Sequence, residues 1–102
     1  MPTYILLSSL TPEGQKTLYS RPDRLQEVNQ EINDFGCKIV SQYAVLGPYD
    51  FVTIVEAKDN ETAAQLSVDL GARGTINILT LPAITTEALR DKLKSSSQVG
   101  GS

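Results

Sequence analysis

The sequence predicts an α+β protein with a ferredoxin-like fold, in which strands and helices follow the order β-α-β-β-α-β before a short C-terminal helix. Three observations lead to this prediction. Four short apolar segments have strand character, helical spacing occupies longer stretches between them, and only a very short link separates the second and third strands. The 102 residues, 40% of them apolar, suffice for one core. Because crossover connections are right-handed, we expect a four-stranded antiparallel sheet with both main helices on one face.

The first strand and the first main helix are defined by apolar spacing and by the residues at their ends. An apolar run over 3–10 predicts a buried strand, and Thr11-Pro12-Glu13-Gly14 after it is typical of a turn. Ser20 can cap a helix over about 21–35, and Gly36 suits the left-handed cap at its C-terminus. The apolar side chains of this helix repeat at helical spacing: Leu25, Val28, Ile32 and Phe35.

The middle of the chain is predicted to form a hairpin. Segments 37–46 and 51–57 have strand character, and the tight turn Gly47-Pro48-Tyr49-Asp50 joins them. Strands joined by so short a link pair antiparallel.

The second main helix and the fourth strand follow. Asp59 or Asn60 caps the helix, and Gly71-Ala72-Arg73-Gly74 ends it. We expect the fourth strand over 75–81, closed by Pro82.

The end of the chain changes character after a last short helix, which Thr85 can cap. Residues 95–102 are polar and small and have nothing to bury, so we expect a flexible tail. One domain over 1–94 therefore precedes a tail over 95–102.

Both faces of the predicted sheet are apolar, which is unusual for a monomer with helices on one face only. By alternation, Phe51 and Val55 oppose Val52 and Ile54, Ile76 and Ile78 oppose Leu79 and Leu81, and Tyr4 and Leu6 oppose Ile5 and Leu7. The chain has no further element to cover the second face. We therefore predict a homodimer or higher oligomer joined through that face.

Composition excludes several classes of function. A net charge of −3 argues against a nucleic-acid partner, which needs a basic face. No apolar run is long enough for a membrane helix and nothing resembles a signal peptide, so we expect a cytoplasmic protein with no membrane partner. With one Cys and no His, we expect no metal site and no cofactor.

The hairpin carries a more specific pattern. Leu46-Gly47-Pro48-Tyr49-Asp50-Phe51-Val52 resembles the glycine-x-tyrosine-aspartate signature of the GYD domain family. Further similarities run in order over about residues 3–90: Thr11-Pro12-Glu13-Gly14, Arg21-Pro22-Asp23-Arg24, Ile54-Val55-Glu56-Ala57 with Asp59-Asn60-Glu61, and Gly74, Thr80, Leu81 and Ala83. The resemblance implies a dimeric α/β-barrel, in which two sheets pack face to face, and no settled activity. Pro82 stands where members often have Arg, which argues against an anionic ligand at that strand end.

Tyr49 and Asp50 form the first candidate site. They could line a pocket mouth and bind or polarise a small ligand. Alternatively, the Asp50 carboxylate accepts backbone N–H groups at the turn while Tyr49 packs over the hairpin, which is our preferred interpretation.

The other candidates are strand residues. Glu56 is a general base if buried, or a solvated strand end beside Lys38 or Lys58. The hydroxyls of Tyr43, Thr53 and Thr80 could line a pocket between subunits, although Tyr and Thr are also common in strands. Strict alternation puts Tyr43 on the face that carries Ile39, Ser41 and Val45. Cys37 is interpreted as a small apolar residue rather than a reactive thiol.

Three functions fit these observations. The favoured one is a homo-oligomeric module without catalysis, which binds a small molecule or serves as an assembly unit. The second is a cofactor-free enzyme of the dimeric-barrel type, an isomerase or oxygenase using Asp50, Glu56 and Tyr49. The third is a regulatory, ligand-sensing subunit that acts through partners.

Overall fold

The structure is a computed structural model and describes residues 1–95. Its elements, in order, are β1 (Thr3–Leu10), α1 (Pro12–Ser20), α2 (Arg24–Asp34), β2 (Lys38–Ala44), β3 (Phe51–Glu56), α3 (Asn60–Ala72), β4 (Ile76–Ala83) and α4 (Thr86–Ser95). Apart from Ser95, which ends α4, the predicted tail over 95–102 lies outside the described residues.

The four strands form one sheet in the order β2-β3-β1-β4, and every neighbouring pair is antiparallel. This is the strand order of the split βαβ arrangement, so the predicted α+β, ferredoxin-like class is confirmed. Side chains of α2 and α3 pack on one face of the sheet, where the buried core lies. The core consists of Tyr4, Leu6, Ile32, Cys37, Val55, Ala57, Ala63, Leu66 and Leu70.

The predicted turn after β1 is wrong, because α1 begins there. Thr11 caps this helix by accepting the Gly14 N–H at 3.1 Å, and its own hydroxyl donates to the Gly74 carbonyl at 2.7 Å. At Gly14 an added Cβ would lie 2.0 Å from the Thr75 carbonyl oxygen, so only glycine allows this close approach. A cap followed by Pro12 at the first helical position was the signal in the sequence for this helix.

The predicted start of the next helix is also wrong. Ser20 ends α1 and donates to the carbonyls of Lys16 and Thr17, so it does not cap α2. Asp23 occupies the N-cap position of α2 without a side-chain hydrogen bond. At the other end, Gly36 adopts φ +103°, the left-handed conformation expected of it.

A bulge in β2 changes the faces predicted by strict alternation. Ile39 pairs with Val55 and faces the helices, whereas Ser41 pairs with Ile54 and faces away from them. Tyr43 therefore shares a face with Ser41 but not with Ile39. One extra residue in the strand is sufficient to move every following side chain to the opposite face of the sheet from the one that strict alternation predicts.

The last strand and helix differ in how they attach. β4 is an edge strand, and it extends through Pro82 rather than ending before it, because an edge position tolerates a missing N–H. Thr85 accepts the Ala88 N–H at 3.0 Å and caps α4, as predicted. α4 buries none of its side chains. The radius of gyration, 16.5 Å, exceeds the ~13 Å of a compact domain of this size.

Candidate functional site

The sheet face opposite the helices, here called the open face, is an exposed apolar surface. Its centre is two rows of paired residues, Tyr43–Val52–Leu7–Leu79 and Ser41–Ile54–Ile5–Leu81. Leu79 and Leu81 are 46% and 39% exposed, and their neighbours in the rows are partly exposed. The prediction that both faces of the sheet are apolar is therefore correct.

Polar side chains surround this apolar centre. Lys38 and Glu56 are cross-strand partners, and Glu56 also pairs with Thr3 in β1, so they share the open face at one end of the sheet. Ser9 and Asn77 pair at the other end. An apolar centre with a polar rim is the usual anatomy of a protein interface.

A cavity of about 340 Å³ lies on the opposite side, between the sheet and the helices. Its floor is formed by strand residues and its walls by α1, α2 and the end of α3. The apolar lining consists of Leu6, Leu10, Leu18, Leu25, Val28, Ile32, Phe51, Leu70, Ile76 and Ile78.

The cavity also has a small polar floor. Gln42 exchanges two hydrogen bonds with Asn29, of 2.8 and 3.1 Å, and donates to the Thr53 hydroxyl at 3.1 Å. Ser8 lies beside them and is only 7% exposed. Sequence reasoning missed Ser8, although its alternation with Tyr4 and Leu6 places a small polar residue where an apolar one is expected.

Arginines stand at the mouth of the cavity, but their charges are neutralised. Arg73 contacts Glu31 at 2.9 Å and Asp69 at 3.0 Å. The hydrogen bond from Arg73 to Glu31 raises the pKa of Arg73 above its usual value. Arg24 lies 3.1 Å from Glu27 and 3.5 Å from Glu31. The mouth, as formed by the described residues, therefore offers no unpaired guanidinium to an anion.

Asp50 is engaged in the sheet itself. Its carboxylate accepts the Leu10 N–H at 2.7 Å, and its backbone N–H donates to the Ser8 carbonyl at 2.8 Å. Tyr49 precedes it in the hairpin loop and is half-buried. Neither residue lines the cavity.

The remaining predicted site residues are distributed over both faces of the sheet. Glu56 and Tyr43 lie on the open face, and Tyr43 is 61% exposed. Thr80 faces the helices and shares a hydrogen bond with Ser67 of α3. Asp50 and Glu56 stand at opposite ends of β3, about 20 Å apart at the usual rise per residue. One small substrate cannot contact both carboxylates of the same chain.

Cys37 is buried, with 2% exposure, and belongs to the core. Burial raises the pKa of its thiol, which keeps the thiol protonated and unreactive. Within residues 1–95 no group of His, Cys, Asp and Glu side chains has the arrangement of a metal site. No helix of this described part is long and apolar enough to cross a membrane.

Comparison with known proteins identifies the family of this chain. A family model described as GYD domain matches residues 4–93. The chain belongs to the GYD domain family. The expected resemblance is thereby confirmed over nearly the whole chain, including the hairpin that carries Tyr49 and Asp50 and the strands of the open face.

Two proteins of Thermus thermophilus are similar to this member of the GYD family. One is described as "Glutamine synthetase and cystathionine beta-lyase binding protein" and is 52% identical over 95 residues, which cover 92% of this chain and all of the relative. The other is TTHA0845, whose crystal structure matches this chain with a TM-score of 0.53 and 26% sequence identity. That match covers 83% of this chain and 95% of the other.

Proposed function

We propose that the chain is a non-catalytic assembly module that forms a homo-oligomer through the open face and docks onto larger enzymes. The observation that carries this proposal is the apolar centre of the open face, which no element of residues 1–95 covers. Soluble monomers rarely leave a contiguous apolar patch of this kind uncovered.

A second copy of the chain is the occupant that fits the open face. The apolar centre spans all four strands, so the sheet of a second copy laid upon it would bury a patch of the same apolar character. The rim carries both signs of charge, with Lys38 beside Glu56. In a twofold arrangement each copy presents the same patch, and a lysine of one copy can meet a glutamate of the other.

The enzyme partners in this proposal follow from the relative named above. A protein 52% identical along its whole length is described as binding glutamine synthetase and cystathionine beta-lyase. We extend those partners to this chain. Catalysis is not part of the proposal, because the candidate acid–base residues are not brought together within one chain.

The test compares two charge insertions on opposite sides of the sheet. Leu79→Glu places a carboxylate in the centre of the open face, whereas Val68→Glu places one on α3, where Val68 is 71% exposed. By light scattering at micromolar concentration we expect at least twice the 11.1 kDa chain mass for the unsubstituted protein and Val68→Glu. Leu79→Glu should fall to the monomer mass, because a buried unpaired charge opposes association.

The same proteins are then titrated onto purified glutamine synthetase and purified cystathionine beta-lyase. Saturable binding to either enzyme supports the docking part of the proposal. A clean monomer for the unsubstituted protein would contradict the homo-oligomer. Binding to neither enzyme would contradict the docking.

A further inference from the structure

We propose that the cavity between the sheet and the helices binds a small, neutral, largely apolar molecule that carries one hydroxyl or carbonyl group. This inference is independent of the open face, which lies on the other side of the sheet. It rests on the volume of the cavity, on its polar floor and on the pairing of the charges at its mouth.

The space is large enough for an organic ligand. Protein interiors are normally packed to the density of organic crystals, with few voids larger than a water molecule. An apolar cavity of about 150 Å³ already accepts benzene. The 340 Å³ present here falls in the range of small-ligand pockets, about 300–1,000 Å³.

The sequence itself keeps the space open. Along β1 the side chains that face the helices are Tyr4, Leu6, Ser8 and Leu10, and the last three of them line the cavity, with the smallest, Ser8, between two leucines. Thr53 provides a second small residue on the neighbouring strand. Leucine or phenylalanine at position 8 would occupy the volume that Ser8 leaves free.

The polar floor indicates what one end of the ligand carries. The Thr53 oxygen already accepts from Gln42, which leaves the hydroxyl hydrogen of Thr53 to donate. No side-chain hydrogen bond found within residues 1–95 involves the Ser8 hydroxyl, and no buried side-chain polar atom there is left without a partner, so this hydroxyl is accessible from the cavity that Ser8 lines. Ser8 and Thr53 lie diagonally across the β1–β3 pair, about 7 Å apart. Together they offer donors and an acceptor to a hydroxyl or carbonyl oxygen.

The charges at the mouth indicate that the ligand is neutral. Arg24 and Arg73 are the charged residues among the described residues that line the cavity, and both are paired: Arg24 with Glu27 and Glu31, and Arg73 with Glu31 and Asp69. An anion would have to displace a carboxylate from its arginine, and a cation would have to displace an arginine. A neutral molecule passes without breaking an ion pair.

Three related probes test the inference: 1-naphthol, naphthalene and 1-naphthoate. The chain contains no Trp, so naphthyl fluorescence can be followed without tryptophan emission. We expect saturable one-to-one binding of 1-naphthol, with naphthalene bound about fivefold more weakly because it makes no hydrogen bond. We expect 1-naphthoate to bind at least about tenfold more weakly than 1-naphthol, because burying its charge without a partner is unfavourable.

Substitutions then locate the bound probe. Ser8→Ala should reduce the preference for 1-naphthol over naphthalene by about fivefold, which is the effect of one neutral hydrogen bond. Ser9→Ala is the matched control, because Ser9 follows on the same strand and faces the open side. Ser8→Leu should weaken binding of all probes by at least about tenfold, because it fills the cavity. If Ser8→Leu fails to fold, Val28→Phe narrows the same cavity from α2.

The outcomes separate this inference from the proposed function. Leu79→Glu should alter the oligomeric state and leave 1-naphthol binding unchanged. Ser8→Ala should weaken 1-naphthol binding and leave the oligomeric state unchanged. The inference is overturned if none of the probes binds saturably, if 1-naphthoate binds most tightly, or if the cavity-filling variants bind 1-naphthol as well as the unsubstituted protein does.

Discussion

Asp50 completes the sheet where β3 has no residue to pair. β3 begins at Phe51, opposite Ser8, so on that side the last residues of β1 have no strand partner. The Asp50 carboxylate supplies the acceptor for the Leu10 N–H at 2.7 Å. A side chain here continues the hydrogen bonding of the ladder for one more residue.

This geometry predicts the effect of removing the carboxylate. Asp50→Ala should lower the free energy of unfolding by about 1–2 kcal/mol, because the Leu10 N–H loses a charged acceptor in a partly buried position. Asp50→Asn keeps an acceptor oxygen and should cost less. Tyr49→Phe keeps the ring and should also cost less. Urea denaturation of these variants measures the differences, and an unchanged free energy for Asp50→Ala would point instead to a role in binding.

At the scale of elements, the sequence predicts well wherever apolar spacing and end residues agree. The four strands and the two main helices were predicted, although the start of α2 and the end of β4 were misplaced, and of the two predicted caps, Asp59 or Asn60, it is Asp59 that accepts the Thr62 N–H at 2.8 Å. α1 was not predicted because Leu18 is almost its only large apolar residue, so the segment lacks apolar residues repeating at helical spacing. The bulge before Ser41 escaped because no glycine or proline marks it.

The candidate site was harder to predict for a related reason. The open face follows directly from alternation along the strands. The cavity depends on which volumes remain unfilled when α1 and α2 pack on the sheet, and α1 had not been predicted. The sequence alone therefore does not bring Ser8 and Gln42 together, whereas Tyr49 and Asp50 are adjacent and belong to a recognisable motif.

α4 allows a prediction about a helix that buries none of its side chains. None of its side chains is buried, and Leu89 and Leu93 are 48% and 68% exposed. Ending the chain after Thr85 should therefore change the free energy of unfolding by less than about 0.5 kcal/mol. The double variant Leu89→Ser, Leu93→Ser is the control that keeps the chain length.

Urea denaturation at two protein concentrations makes this comparison informative. If the truncated chain loses more than about 1 kcal/mol of unfolding free energy at both concentrations, α4 does stabilise its own chain. A loss that grows with concentration would show that α4 stabilises the oligomer instead, since association couples stability to concentration.

On the scale of the whole molecule, the sheet separates two surfaces with different chemistry. One face carries a continuous apolar patch with a polar rim, which suits a second protein surface. The other carries the core and, beyond it, a cavity with a neutral mouth. Since β1 alternates residues between the two, Ile5 and Leu7 serve one surface while Leu6 and Ser8 serve the other. The assembly and the ligand binding proposed above should therefore respond independently to substitutions on the two faces.

The titratable groups predict how the stability of the whole fold responds to acid. Asp59 has a lowered pKa, chiefly because the Thr62 hydroxyl and then the Thr62 N–H donate to its carboxylate. Glu27 has a lowered pKa chiefly because of its hydrogen bond from Arg24. In the unfolded chain the pKa values of an Asp and a Glu are about 3.9 and 4.3. Their contribution is therefore present above those values and is lost as pH falls through the lower pKa values of the folded state.

The chain has no His, which is the side chain whose unperturbed pKa lies between pH 5 and 8. The urea midpoint should therefore be flat from about pH 5 to 8 and decline below about pH 4. On the alkaline side, burial raises the pKa of Tyr4, so stability should fall again once pH exceeds the value of about 10 for an unfolded tyrosine. Asp59→Asn keeps a capping side chain without a titrating group, so its decline in acid should be shallower. A stability transition between about pH 5 and 8, or an unchanged acid decline in Asp59→Asn, would contradict this assignment.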